Sequence, residues 1–109
     1  MEQWLTEIRP HRFETDVLKC PKPALVVFLK RGIASGDMLL SVLRRLARES
    51  GPEICYFKAD VDGCADLAAR YRIEKAPTTL LFVKGKITAH FVGMMSAQKI
   101  REIVGAGLG

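Results

Sequence analysis

The run Ala24-Leu25-Val26-Val27-Phe28-Leu29 offers water no polar side chain on either face. A half-exposed strand alternates apolar with polar residues, so an unbroken apolar and β-branched run belongs to a strand covered on both sides. That cover has to come from helices, and the chain supplies them in alternation with strands. Asp37 to Glu49 places Leu39, Val42, Leu43 and Leu46 on one helical face and Arg44, Arg45 and Arg48 on another, and Gly51-Pro52 ends it. Trp4 to Ile8 predicts a short edge strand before Pro10, and Thr15 to Lys19 a short helix stopped by Pro21 and Pro23. Glu53 to Val61 reads as a strand and Ala65 to Tyr71 as a short helix. Pro77 opens a second apolar run, Thr78 to Val83, and Lys84-Gly85 makes a two-residue turn into Lys86 to Val92. Ser96 caps a last helix carrying Ile100, Ile103 and Val104; Gly105 is expected to end it, leaving Gly107 and Gly109 as a frayed tail.

The order β-α-β-α-β-α-β-β-α predicts an α/β fold. Its central sheet is mixed, mostly parallel with a C-terminal antiparallel hairpin, and flanked by about four helices. At 109 residues the chain is one domain, 1–109. Hydrophobic residues at 49% and charged residues at 27% fit a globular chain and exclude a disordered one. No stretch approaches the roughly 20 apolar residues that span a membrane. Met1-Glu2-Gln3-Trp4-Leu5 lacks the basic and apolar regions of a signal peptide, so a cytoplasmic location with no membrane partner is expected. The net charge of +5 points to an acidic partner, but the basic residues are scattered without an aromatic-rich motif, which argues against nucleic acid. Cys20, Cys55 and Cys64 are odd in number and widely spaced, and His11 and His90 stand apart from them, so neither a metal site nor a cofactor is expected.

Local strings carry a resemblance to one family. Phe13-Glu14-Thr15-Asp16-Val17-Leu18-Lys19 is similar to F-D-T-D-V-L-K, Ala76-Pro77-Thr78 to I-P-T, and Phe82-Val83-Lys84-Gly85-Lys86-Ile87 to F-x-N-G-x-x. With Asp60-Val61-Asp62 and Val92-Gly93 in corresponding places, the chain resembles the thioredoxin family from about Phe13 to Val104. The resemblance implies the thioredoxin fold, a cis bond before Pro77, and a groove beside it in which a peptide pairs with the backbone. The departures fall in one place. Where the family reads V-D-F-W-A-x-W-C-G-P-C-K, this chain reads Val26-Val27-Phe28-Leu29-Lys30-Arg31-Gly32-Ile33-Ala34-Ser35-Gly36-Asp37. Ile33 and Gly36 stand where the two cysteines would be, Val27 where a buried aspartate assists proton transfer, and Leu29 and Gly32 where two tryptophans flank the site. Ser41 replaces a helix-kinking proline.

Thiol–disulfide exchange needs one thiolate to attack and a second thiol to resolve the mixed disulfide. Neither stands at positions 33 and 36, so no catalytic residue is assigned and a redox-inactive chain is expected. Main-chain pairing in the groove does not need the sulfurs. Gly32, Ile33, Lys75, Ala76, Pro77, Gly93 and Met94 are therefore the candidate peptide-binding residues of an adaptor or chaperone with a protein partner. The same residues have a plainer reading, in which Met94 and Met95 are loop packing, the lysines are solvated, and Pro77 is a turn device. Cys64 is the candidate redox thiol for an alternative, a residual oxidoreductase or redox sensor. It sits near a helix start, where thiols gain acidity, among Asp60, Asp62 and Asp66, which oppose that gain. Cys55 reads as a small buried hydrophobe and Cys20 as a loop residue.

Overall fold

The covered strand is β2, Ala24–Leu29, and its side chains divide between two cores. Ala24, Val26 and Phe28 face one core, and Leu25 and Val27 face the other. A computed structural model describes residues 4–109, apart from the side chain of Pro52. Met1 to Gln3, part of the signal-peptide reading, lie outside the described residues. The strands are β1 (Leu5–Glu7), β2, β3 (Cys55–Asp60), β4 (Thr78–Val83) and β5 (Lys86–Val92). They form one sheet in the order β1-β3-β2-β4-β5. The β1–β3 and β2–β3 pairs are parallel, and the β2–β4 and β4–β5 pairs antiparallel. The predicted mixed sheet of the thioredoxin fold is the one observed.

Helices α1 (Ala34–Ser50) and α3 (Ala97–Leu108) cover one face through Leu39, Leu43, Leu46 and Ile100. The other face is covered by α2 (Ala65–Arg70) and a single wide turn at Glu14–Leu18, through Leu67 and Val17. On that side Phe13, Tyr71 and Phe82 meet with ring centroids 5.5–5.8 Å apart. The first predicted helix is thus one turn, closed by the Lys19 N–H donating to the Glu14 carbonyl five residues back. Pro21 and Pro23 leave it no room to lengthen.

Most strand and helix ends fall within a residue of expectation, and three boundaries differ by more. Helix α1 begins at Ala34 rather than Asp37, and Gly36 in its first turn is buried close to Leu29. Strand β3 starts at Cys55, since Gly51–Glu53 form a short turn of tight helix. Helix α3 continues through Gly105 and Gly107 to Leu108. At Gly107 a Cβ would lie 2.8 Å from both Ala89 Cβ and Leu81 Cδ2, so glycine is what lets α3 lie close on the hairpin. Packing there outweighs the roughly 1 kcal/mol helix penalty of glycine. The hairpin itself is as predicted, with Lys84 at φ 52° and Gly85 at φ 80°.

Among the described residues, one buried side-chain polar atom has no hydrogen-bond partner, the Thr79 hydroxyl. Thr79 lies directly opposite Val27 across the β2–β4 pair, on the same face. An unsatisfied buried hydroxyl costs roughly 1–3 kcal/mol. Thr79→Val keeps the shape and removes that cost. It is expected to stabilise the fold by about 1 kcal/mol, read as a higher urea midpoint at an unchanged slope.

Candidate functional site

The carboxyl end of β2 is where the predicted site residues gather. The chain leaves Leu29, turns at Lys30 to Ile33, and enters α1 with Ile33 at the cap position. The turn is held by the Ile33 N–H donating to the Lys30 carbonyl at 3.4 Å and the Gly36 N–H donating to the Ile33 carbonyl at 3.1 Å. Being isoleucine, the cap offers no side-chain acceptor to the first N–H groups of the helix. Ile33 is 37% exposed, an uncommon position for a large apolar residue, while Gly36 one turn on is buried. Phe28, near the end of β2, pairs with Thr78, which in turn pairs with Val92. The Gly93 N–H donates to the Pro77 carbonyl at 2.8 Å. These ladders bring the 30–33, 76–77 and 93–95 segments to one end of the sheet.

The Ala76–Pro77 bond is cis. Pro77 is wholly buried and Ala76 half-buried, with the Thr78 hydroxyl donating to the Lys75 carbonyl just behind them. Met94 and Met95 are half-buried and pack against the α1–α3 core. Val92, 47% exposed, adds apolar surface at this end.

A cleft of about 580 Å³ opens beside the start of α1. Gly32 and Ile33 line it, with Leu29, Gly36 and Leu40 as apolar wall. Its charged lining is balanced: Lys30, Arg31 and Lys58 against Glu7, Asp37 and Asp60. The overall positive charge of the chain is therefore not concentrated here, and the cleft itself shows no preference for an acidic ligand. Lys75 is exposed and lines a separate depression of about 500 Å³ with Tyr71, Glu74 and His90. The structure brings Gly32 and Ile33 together in the cleft, sets Lys75 in the other depression, and places Ala76, Pro77, Gly93 and Met94 in the lining of neither. Glu7, Lys58 and Asp60 are lining residues that the sequence reading missed. The alternation Lys58-Ala59-Asp60 at the end of β3 was the available signal, since it places two polar residues on the α1 face.

None of the three cysteines lies in this cleft. Cys64 does cap α2, as its position suggested, but it is only 4% exposed, which removes it from solvent. Its backbone N–H donates to the Asp60 carbonyl at 2.7 Å and its thiol to the Ile8 carbonyl at 3.9 Å. Burial, then the Asp60 charge, push the Cys64 thiol above its ordinary range. Cys55 is not the fully buried residue expected, because it is the first residue of β3 and half-open at the end of the sheet. Among the described residues no group of three or more His, Cys, Asp or Glu could hold a metal ion, and no helix is long and apolar enough to cross a membrane.

Comparison with known proteins gives one answer. Residues 5–106 match the family model described as Thioredoxin. A thioredoxin of Acidithiobacillus ferridurans is 33% identical over 96 residues, covering 88% of this chain and 89% of that protein. Thioredoxin C-2 of Corynebacterium nephridii is 29% identical over 104 residues, covering 95% and 96%. A Pseudomonas aeruginosa thioredoxin is 27% identical over 108 residues, covering 99% and 100%.

Proposed function

The chain belongs to the thioredoxin family, and from that premise we propose that it is a member without dithiol chemistry at the start of α1, which binds an extended protein segment there as an adaptor or chaperone. The observation that supports this most is the absence of sulfur at positions 33 and 36 together with the cis bond before Pro77 at the same end of the sheet. Ile33 and Gly36 carry no sulfur, while the turn before α1, the cis bond before Pro77 and the segment after β5 lie at one end of the sheet. An extended segment adds to such a site by main-chain hydrogen bonds, and the exposed Ile33 gives it an apolar anchor.

The name shared by the relatives favours a second reading, thiol–disulfide oxidoreductase or redox sensor. In this chain that chemistry would have to run through sulfurs outside the cleft, and the burial of Cys64 weighs against that residue.

Affinity capture with the unaltered protein and with Ala76→Asp, side by side, tests the binding reading. The substitution puts a charge beside Pro77 at a half-buried position. Loss of the captured proteins is expected from a variant whose melting curve shows that it folds. Identical captured sets would overturn the groove.

A further inference from the structure

We propose that Cys20 and Cys55 form a reversible disulfide, a redox-responsive cross-link at the end of the sheet opposite the α1 cleft. Their Sγ atoms stand 3.7 Å apart, with the Cys20 thiol aimed at the Cys55 sulfur. A disulfide bond of about 2.05 Å requires the two sulfurs to close this gap by side-chain rotation. The backbone holds both residues ready for it. Cys20 ends the wide turn with its N–H donating to the Val17 carbonyl at 3.3 Å. Three residues later the Pro23 carbonyl accepts from the N–H of Cys55 itself, at 2.9 Å, and Ala24 pairs with Cys55 in the parallel ladder. Pro21 and Pro23 fix φ in the short link between, so Cys20 has little freedom to leave its partner. Both thiols are half-buried, which leaves them within reach of a small molecule. Cys64 is excluded by its burial and by its own contact with Ile8.

The oxidant is a low-molecular-weight disulfide. The thiolate of Cys20 attacks one of its sulfurs, a bond forms between them, the original S–S bond breaks, and one small thiolate leaves and takes up a proton. Cys55, whose thiol burial and the Cys20 sulfur hold above its ordinary range, gives its proton to water. Its sulfur then attacks that of Cys20 and expels the second small thiolate. Two protein thiols have lost two electrons and two protons, and the small disulfide has gained them as two thiols.

The cross-link closes a loop that contains β2 and α1, so it restricts the unfolded chain strongly. From Cys55 to Asp60 the sheet runs about 17 Å, which separates this pair from the cleft. The inference therefore stands apart from the binding proposal.

The test uses the purified full chain with excess oxidised glutathione, followed by denaturation and alkylation. Of three cysteines, all are expected to be labelled in the reduced protein and only Cys64 after oxidation. Peptide mapping then shows Cys20 linked to Cys55, and Tm rises by about 10 °C, reversed by dithiothreitol. Cys20→Ser abolishes the rise, and Cys64→Ser retains it. Three labelled thiols after oxidation, a persistent glutathione adduct on Cys20 or Cys55, or a link that includes Cys64 would each overturn the proposal.

Discussion

The double variant Ile33→Cys/Gly36→Cys is expected to reduce insulin with dithiothreitol as the electron donor, while the unaltered chain stays at the uncatalysed rate. The difference should be about tenfold or more, because the scaffold already supplies what an exchange site needs. A sulfur at position 33 would cap a helix of 17 residues, where the free N–H groups and the helix dipole favour a thiolate. Its exposure, 37% for the isoleucine there, leaves it open to a substrate disulfide. Position 36 is buried one turn on, the place for a thiol that resolves and does not attack. A Cβ at Gly36 would lie 3.1 Å from Leu29 Cδ2, the far end of a flexible side chain, which can yield by a few tenths of an ångström. Ile33→Cys alone should stop at the mixed disulfide, visible as a trapped adduct on a non-reducing gel. A double variant that folds but stays at background would show that the cleft has lost more than its sulfurs. The replacements at Val27, Leu29 and Gly32 would then carry the loss, and the proposal that the peptide-binding frame survives would be weakened with it.

What the sequence made legible follows from how local each signal is. The β4–β5 hairpin was readable to the residue because Pro77 and Lys84-Gly85 punctuate it on either side. The covered strand was readable because its apolar run has only one comfortable place in a sheet. The end of α3 was not, because glycine propensity points to Gly105 while a tertiary contact at Gly107 decides the matter. Lys58 and Asp60 carry a local signal in their alternation, but Glu7 reaches the cleft only because β1 lies beside β3, which no local pattern states. The same holds for Cys20 and Cys55, which are 35 residues apart and meet only through the β2–β3 register. Cys64 failed in the opposite way. Its helix-start position was correct, but the covering by Ile8 and its neighbours that removes it from solvent comes from elsewhere in the chain.

Val27→Asp puts an acid at a position with 0% exposure, where the resemblance implies one, and it is expected to cost about 3 kcal/mol at pH 7. The environment is mostly apolar, formed with Leu25, Leu39 and Leu43, so the new carboxyl would be neutral to a higher pH in the folded chain than in the unfolded one. Stability is then lost as pH rises. Below about pH 4 the acid is protonated in both states and the penalty is smallest. Above that, the unfolded chain ionises first, and the penalty grows by about 1.4 kcal/mol per pH unit until the folded pKa is reached. Two neighbours on the same face limit the rise: the orphaned Thr79 hydroxyl directly opposite on β4, and Lys58 opposite on β3. A hydroxyl that lacks a partner beside valine becomes a donor beside a carboxylate. Thr79→Val should therefore change sign with its background, stabilising the native chain and destabilising Val27→Asp, each by about 1 kcal/mol. Urea unfolding of the four proteins at pH 4 and pH 7 measures this. Additive effects of the two substitutions at pH 7 would show that the hydroxyl and the acid do not meet.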